Sequence, residues 1–182
     1  KLGMIANYGV GYDTIDVAYA TSKGIRVSNT PDVLTEDVAD LAVGMLIAGS
    51  RGMIGASDWI RSGQWSTGAY ALQRKVSGST VGIVGLGRIG RAVAERQVPF
   101  GCGVHYYSRS PMDTPGWTHH DDIVAMAGAV QTLVITVSGG PETLGIVGAE
   151  AIAALGPDGF LVNASRGTTV DEATLLTALE TG

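Results

Sequence analysis

Three glycines and a later Ser-Arg-Ser are the residues whose types and spacing could do chemistry. Gly85, Gly87 and Gly90 fit the spacing G-x-G-x-x-G within Val81-Gly-Ile-Val-Gly-Leu-Gly-Arg-Ile-Gly90. The run before them is apolar and β-branched. Ile89, Ala92 and Val93 after them repeat as one face of a helix. Strand, glycine turn and helix start are the setting in which such glycines bind a dinucleotide. Gly85 permits the tight turn, Gly87 lets a pyrophosphate approach the backbone, and Gly90 lets helix and strand pack closely. The unpaired N–H groups and the dipole of the helix start complete an anion site.

The end of the next expected strand, Gly103–Tyr107, decides the kind of dinucleotide. An acid about 20 residues past the glycines bonds an unmodified ribose, and an arginine there accommodates a 2′-phosphate. This chain has Ser108-Arg109-Ser110 and no acid at that point. NADP(H) is therefore favoured over NAD(H), with the guanidinium and two hydroxyls as phosphate partners.

The elements that must position these groups read as alternating strands and helices. Strands are expected at 2–6, 25–27, 81–84, 103–107, 132–136 and 160–163. Helices are expected at 15–23, 35–48, 57–61, 88–97, weakly 122–127, 149–154 and 171–180. Thr35 reads as a helix cap, Gly24 as the stop of the first helix and Gly182 as the stop of the last. The segment 111–122 reads as loop, with His119-His120-Asp121-Asp122 a capped, solvated stretch. Gln97-Val-Pro99 should end its helix. From Val81 onward the alternation gives an α/β chain with a Rossmann-type doubly wound parallel sheet. Sites in such sheets collect at the carboxyl ends of strands, where Gly85–Ile89, Ser108–Ser110, Val137–Ser138 and Ala164–Arg166 all fall. Read bare, Arg166 is a salt-bridge partner for Asp171 or Glu172. Asn7–Asp13 is either a plain turn or a glycine loop that aims N–H groups at an anion.

Composition bounds the rest. The chain has 182 residues, 45% hydrophobic and 16% charged, with formal net charge −5. That is globular, and the acidity argues against a nucleic-acid partner. The single cysteine, Cys102, excludes an internal disulfide or a cysteine-cluster metal site and suits a reducing, cytoplasmic setting. No run approaches the ~20 apolar residues of a membrane span, and no leader pattern opens the chain. Both ends read as cut, which makes this an internal fragment. The expected 35–48 helix is apolar nearly all round, so it should be buried by its own domain and by a second subunit, giving a homodimer.

These motifs together resemble the D-isomer-specific 2-hydroxyacid dehydrogenases, within them the glyoxylate/hydroxypyruvate reductase group. The resemblance rests on Ala6-Asn-Tyr-Gly-Val-Gly-Tyr-Asp13, Asn29-Thr-Pro-Asp-Val-Leu-Thr35, Arg61-Ser-Gly-Gln-Trp65, the glycine turn, Gly139-Gly-Pro-Glu-Thr143 and Asn163-Ala-Ser-Arg-Gly-Thr-Thr-Val-Asp-Glu172. It implies hydride transfer between NAD(P)H and a small 2-oxo acid. It implies that residues 1–28 are the tail of a flavodoxin-like substrate domain and 29–182 a Rossmann domain truncated at its C-terminal end. Val10 and Gly11 would hold the substrate carboxylate through their N–H groups. Leu86, Gly87, Arg88 and Ile89 would cradle the pyrophosphate, and Ala164 and Ser165 would flank the nicotinamide ribose, near Val137. Arg166 would be the catalytic arginine, polarising the ketone. The family's general-acid histidine and its glutamate have no counterpart here, so the 182 residues alone are expected to lack turnover. The competing reading is a dinucleotide-sensing binding module.

Overall fold

The apolar run Thr80–Val84 is the centre of the sheet. A computed structural model describes residues 1–181. In chain order the elements are β1 (Met4–Ala6), α1 (Val17–Ser22), β2 (Arg26–Ser28), α2 (Thr35–Ser50), α3 (Met53–Arg61), β3 (Thr80–Val84), α4 (Arg88–Gln97), β4 (Gly103–Tyr107), β5 (Thr118–His120), α5 (Ile123–Ala129), β6 (Thr132–Ile135), α6 (Ala149–Leu155), β7 (Phe160–Asn163) and α7 (Glu172–Thr181). Strands β1 and β2 pair in parallel as their own two-stranded sheet. The other five form one parallel sheet in the order β5-β4-β3-β6-β7. The order reverses between β3 and β6, which is where a ligand crevice is expected in a doubly wound sheet.

Period-two alternation sends the strand side chains to two cores. Val81 and Ile83 of β3, Val104 and Tyr106 of β4 and Val134 of β6 pack under α2 and α4. Val84, Leu133 and Ile135 pack under α5 and α6 on the other face. Arg96 of α4 fastens α2 by donating to Glu36 (2.6 Å) and Asp40 (2.7 Å). Those acids sit in the first turns of α2, and Glu36 complements the helix dipole there.

Several boundaries depart from the sequence expectation. Thr35 is the first helical residue, not the cap. Leu34 occupies the cap position, and no side chain bonds the first-turn N–H groups. Asp16 caps α1 by accepting from the Tyr19 N–H at 2.8 Å, so the helix starts two residues later than expected. Asp171 likewise accepts from the Thr174 N–H (3.1 Å), and α7 begins at Glu172. The expected stop at Gly182 lies outside the described residues. Helix α3 begins at Met53 rather than 57.

The segment 111–122 is not wholly loop. Thr118–His120 adds to the sheet edge as β5, paired with His105–Tyr107. Three polar residues carry no readable alternation, so tertiary pairing decides them. Asp122 does cap, accepting from the N–H groups of Val124 (3.3 Å) and Ala125 (2.8 Å). Helix α2 buries Ala39, Ala42, Val43 and Leu46 but leaves Leu41 62% exposed, so its own domain covers only part of it. Among the described residues no single helix is long and apolar enough to cross a membrane.

Candidate functional site

The turn from β3 into α4 has the local features of an anion cradle. Gly85 has φ +96°, a conformation L side chains rarely adopt. A Cβ at Gly90 would run into the Gly85 carbonyl and Thr136 Oγ1, so close packing of helix on strand requires glycine. Thr136 Oγ1 donates to that carbonyl at 2.7 Å. A Cβ at Gly87 would meet no atom within 4 Å, so the space over it is open. The first bond of α4 is from the Arg91 N–H to the Gly87 carbonyl (2.8 Å). Among the described residues, the N–H groups of Leu86, Gly87, Arg88 and Ile89 find no acceptor. Four unpaired donors and open space over a glycine fit a pyrophosphate.

This cradle forms one wall of a cleft of about 820 Å³. Gly85, Leu86 and Gly87 meet Ser108, Arg109, Ser110 and Val137 there, as the sequence suggested. Ser138, expected at a strand end, lines it too, and the cleft also takes in Met112, Thr136, Ile146 and the Gly139–Thr143 turn, which sequence reasoning did not assign to it. The Ser108–Met112 wall is anchored at both ends. The Tyr106 hydroxyl accepts from the Met112 N–H (2.9 Å) and donates to the Met112 carbonyl (3.2 Å). A ring nitrogen of His119 bonds the Ser108 carbonyl (3.1 Å). Ser108 Oγ donates to the Ser110 carbonyl (2.6 Å). Arg109 projects over the mouth, 3.9 Å from the Glu142 carboxylate of the opposite wall.

A second cavity, about 630 Å³, is lined by Asp13, Arg166, Asp171 and Glu172 among others. Arg166 does not pair with Asp171 or Glu172. Asp171 is taken by Thr174 at the start of α7, and the guanidinium reaches Asp13 instead: Nη2 to Oδ1 is 3.1 Å and Nε to Oδ2 is 3.4 Å. These bonds hold the Asp13 carboxyl below its ordinary value, with help from a backbone bond. The pair is wedged between Gly11 and Gly139, since a Cβ at either would strike the Arg166 side chain. Arg166 is fixed from behind. Its carbonyl accepts from Asn163 Nδ2 (2.8 Å), Thr169 Oγ1 (2.6 Å) and the Thr169 N–H (3.0 Å).

The Asn7–Asp13 loop is held by two asparagines. Asn7 Nδ2 donates to the carbonyls of Gly9 (3.0 Å) and Gly11 (2.9 Å), and Asn29 Nδ2 to that of Val10 (2.9 Å). With its carbonyls tied inward, the loop leaves the Val10 and Gly11 N–H groups without acceptors among the described residues. These donors are free for an anion, as one of the two sequence readings of the loop requires. Ala164 and Ser165 line neither cavity: Ala164 packs against the core under α2 and α4, and Ser165 Oγ donates to the Val137 carbonyl of the cleft wall, with Arg166 the next residue. Sequence reasoning missed Asp13, the two asparagines and the Tyr106–His119 anchors. Only Asn7 and Asn29, each beside a glycine or proline turn, carried a local signal.

The three histidines stand apart from Arg166. His105 Nδ1 and His120 Nε2 are 2.9 Å apart, with ring centroids at 5.1 Å. Those two distances describe an edge-to-edge bond around one shared proton. Among the described residues neither cavity is lined by a histidine.

Residues 43–182 match the family model described as D-isomer specific 2-hydroxyacid dehydrogenase, NAD binding domain. The whole chain is 44% identical to hydroxyphenylpyruvate reductase of Plectranthus scutellarioides and 42% identical to glyoxylate/hydroxypyruvate reductase A of Arabidopsis thaliana. It spans 58% of the length of each of these curated relatives. Among solved structures, it resembles the NADPH-dependent glyoxylate/hydroxypyruvate reductase of Sinorhizobium meliloti in complex with NADP and malonate, with TM-score 0.93 and 49% identity, covering 99% of this chain and 57% of that one. D-lactate dehydrogenase of Aquifex aeolicus, complexed with NAD and lactic acid, gives TM-score 0.92 at 27% identity over 100% of this chain and 55% of that one.

Proposed function

Because this chain belongs to the D-isomer specific 2-hydroxyacid dehydrogenases, we propose that it carries the cofactor site and the catalytic arginine of an NADPH-dependent reductase of a short 2-oxo acid, glyoxylate or hydroxypyruvate. One observation carries the reading. The Arg166 guanidinium lies against Gly11 of the anion-facing loop and one residue from Ser165, which is bonded to the wall of the dinucleotide cleft. A 2-oxo acid needs both neighbours: a grip for its carboxylate and a cofactor for its ketone.

Leu86 to Ile89 would hold the pyrophosphate through their free N–H groups, and Arg109, with Ser108 and Ser110, the 2′-phosphate. Ala164, Ser165 and Val137 would border the nicotinamide ribose. The chemistry a nicotinamide dinucleotide supplies there is hydride transfer. Val10 and Gly11 would orient the substrate carboxylate. Arg166 would polarise the ketone and stabilise the negative charge that develops on its oxygen. The S. meliloti reductase, NADPH-dependent by name, supports the cofactor assignment.

The ketone oxygen also needs a proton. Among the described residues no histidine lines either cavity, and we infer that this proton comes from a group supplied by the full-length protein, so that the 182 residues by themselves would not turn over. Residues 1–28, which hold the separate two-stranded sheet, would belong to a substrate domain and 29–182 to the nucleotide domain. We further infer a homodimer. Leu41, Met45, Met53, Ile54, Ile60 and Trp65 are exposed apolar residues on α2, α3 and the turn after them. Light scattering that finds a monomer at micromolar concentration would refute it.

The test is NADPH consumption by the full-length protein with glyoxylate and with hydroxypyruvate, against a buffer control. Turnover with either supports the reading. Dinucleotide binding without turnover of any 2-oxo acid would favour a sensing module.

A further inference from the structure

Arg109 has one polar partner among the described residues, and it lies across the cleft. The Glu142 carboxylate is 3.9 Å from Arg109 Nη1. Glu142 sits on the short Pro141–Thr143 turn, which is held in place. Thr143 Oγ1 donates to the Ser138 carbonyl (2.6 Å), and the Thr143 N–H to that of Gly140 (3.1 Å). The opposite wall is held by Tyr106 and His119. Two anchored walls thus present one positive and one negative group to the same mouth. The side chains are 91% and 88% exposed, so the pair does little for the fold. Its place between the walls is what calls for an explanation.

We propose that Glu142 is a cofactor-specificity residue, which holds down the preference for a 2′-phosphorylated dinucleotide that Arg109 creates. This rests on the assignment of Arg109 to the 2′-phosphate. The carboxylate acts in two ways. It competes for the guanidinium, which must leave it to grip a phosphate. It also remains a negative charge on the opposite wall, 3.9 Å from the guanidinium and so inside the screening length of about 8 Å at physiological salt. A phosphate monoester carries nearly two negative charges, so it meets both effects. A ribose with a free 2′-hydroxyl meets neither strongly. The cleft then discriminates less sharply than its arginine alone would make it.

The measurement is calorimetric titration of the full-length protein with 2′,5′-ADP and with AMP, which differ only in the 2′-phosphate. The readout is the ratio of the two dissociation constants. Glu142→Gln should raise the preference for 2′,5′-ADP about five-fold, or about 1 kcal/mol. Arg109→Gln should lower it. Glu150→Gln, an exposed carboxylate on α6, is the control for net charge and should leave the ratio where it was. An unchanged or smaller preference in Glu142→Gln overturns the inference. The Arg109→Gln arm answers a separate question. An unchanged ratio in that variant removes the 2′-phosphate assignment, whereas the change in Glu142→Gln decides for or against Glu142. Failure of both ligands to bind overturns both.

Discussion

The Arg166 guanidinium grips the Asp13 carboxylate from 153 residues away in sequence, and the pair fills the space left by two glycines. The Asp13 carboxyl is held below its ordinary value by the guanidinium, so the pair is ionic at neutral pH. On the proposed reading, Asp13 would set where the guanidinium sits when a 2-oxo acid arrives. In the full-length protein, Arg166→Gln should cost at least about 100-fold in kcat/KM for glyoxylate, the range for a lost oxyanion donor. Asp13→Asn should cost about ten-fold through misplacement, mostly in kcat, while dinucleotide affinity holds. Steady-state kinetics with glyoxylate and calorimetry with NADPH check both. A Asp13→Asn variant with normal kcat would remove the positioning role.

The last two glycines of the cradle should separate folding from binding. Gly90→Ala pushes a methyl group into the Gly85 carbonyl and Thr136 Oγ1. It should lower stability by about 1–3 kcal/mol, as overpacking does. Gly87 has φ −75° and open space above it, so Gly87→Ala should fold normally. Its methyl group would occupy the approach to the free N–H groups, and NADP(H) should bind at least ten-fold more weakly. Chemical denaturation and dye-free calorimetry on the two variants read the two effects independently. Equal loss of stability in both would contradict the open geometry at Gly87.

The contrast between these glycines and Asp13 shows what the sequence could disclose. The Gly85–Gly90 turn, Arg88–Gln97, Gly103–Tyr107 and Phe160–Asn163 appear in the fold at the expected bounds. In each, local punctuation by glycine or proline frames an apolar period. Asp13 as the partner of Arg166 was not legible, because nearer acids at 171 and 172 looked equivalent. The choice depends on the fold bringing Asp13 against Arg166 across 153 residues, a contact with no local signature. The same holds for β5, whose three polar residues pair because β4 offers a free edge. Tyr106 and His119 looked like strand and loop residues, yet together they fasten the Arg109 loop.

The His105–His120 bond should make stability depend on pH near neutrality. Burial, and to a lesser degree the His120 charge, push the His105 imidazole below its ordinary value of 6.5. The unfolded chain then binds the proton more readily, so stability is fully present above the unfolded value and falls as pH drops through the folded one. No ionisable residue of α5 offsets this, as Ile123–Ala129 has none; Tyr107 shares the strand face, and Asp121 and Asp122 follow β5, with Asp122 engaged as the cap. Between about pH 7.5 and pH 5.5 the melting temperature should drop by about 2–4 °C. His105→Gln should flatten that slope. Scanning calorimetry at the two pH values decides, and an equal slope in the variant would rule out the pair as its source.

Gln97 closes α4 with a fully buried side chain whose Nε2 and Oε1 have no partner among the described residues. An amide left unpaired in the interior carries its desolvation cost without a compensating bond. Its backbone carbonyl, by contrast, is used by the Cys102 N–H at 3.3 Å. Methionine has nearly the same length, bends to fit, and carries no strong donor or acceptor. Gln97→Met should therefore raise stability by about 1 kcal/mol without touching the cleft or Arg166. Urea denaturation with unchanged m-value is the check. A loss of about 1 kcal/mol or more would mean that the amide has a bonding partner, such as a buried water, which methionine cannot satisfy.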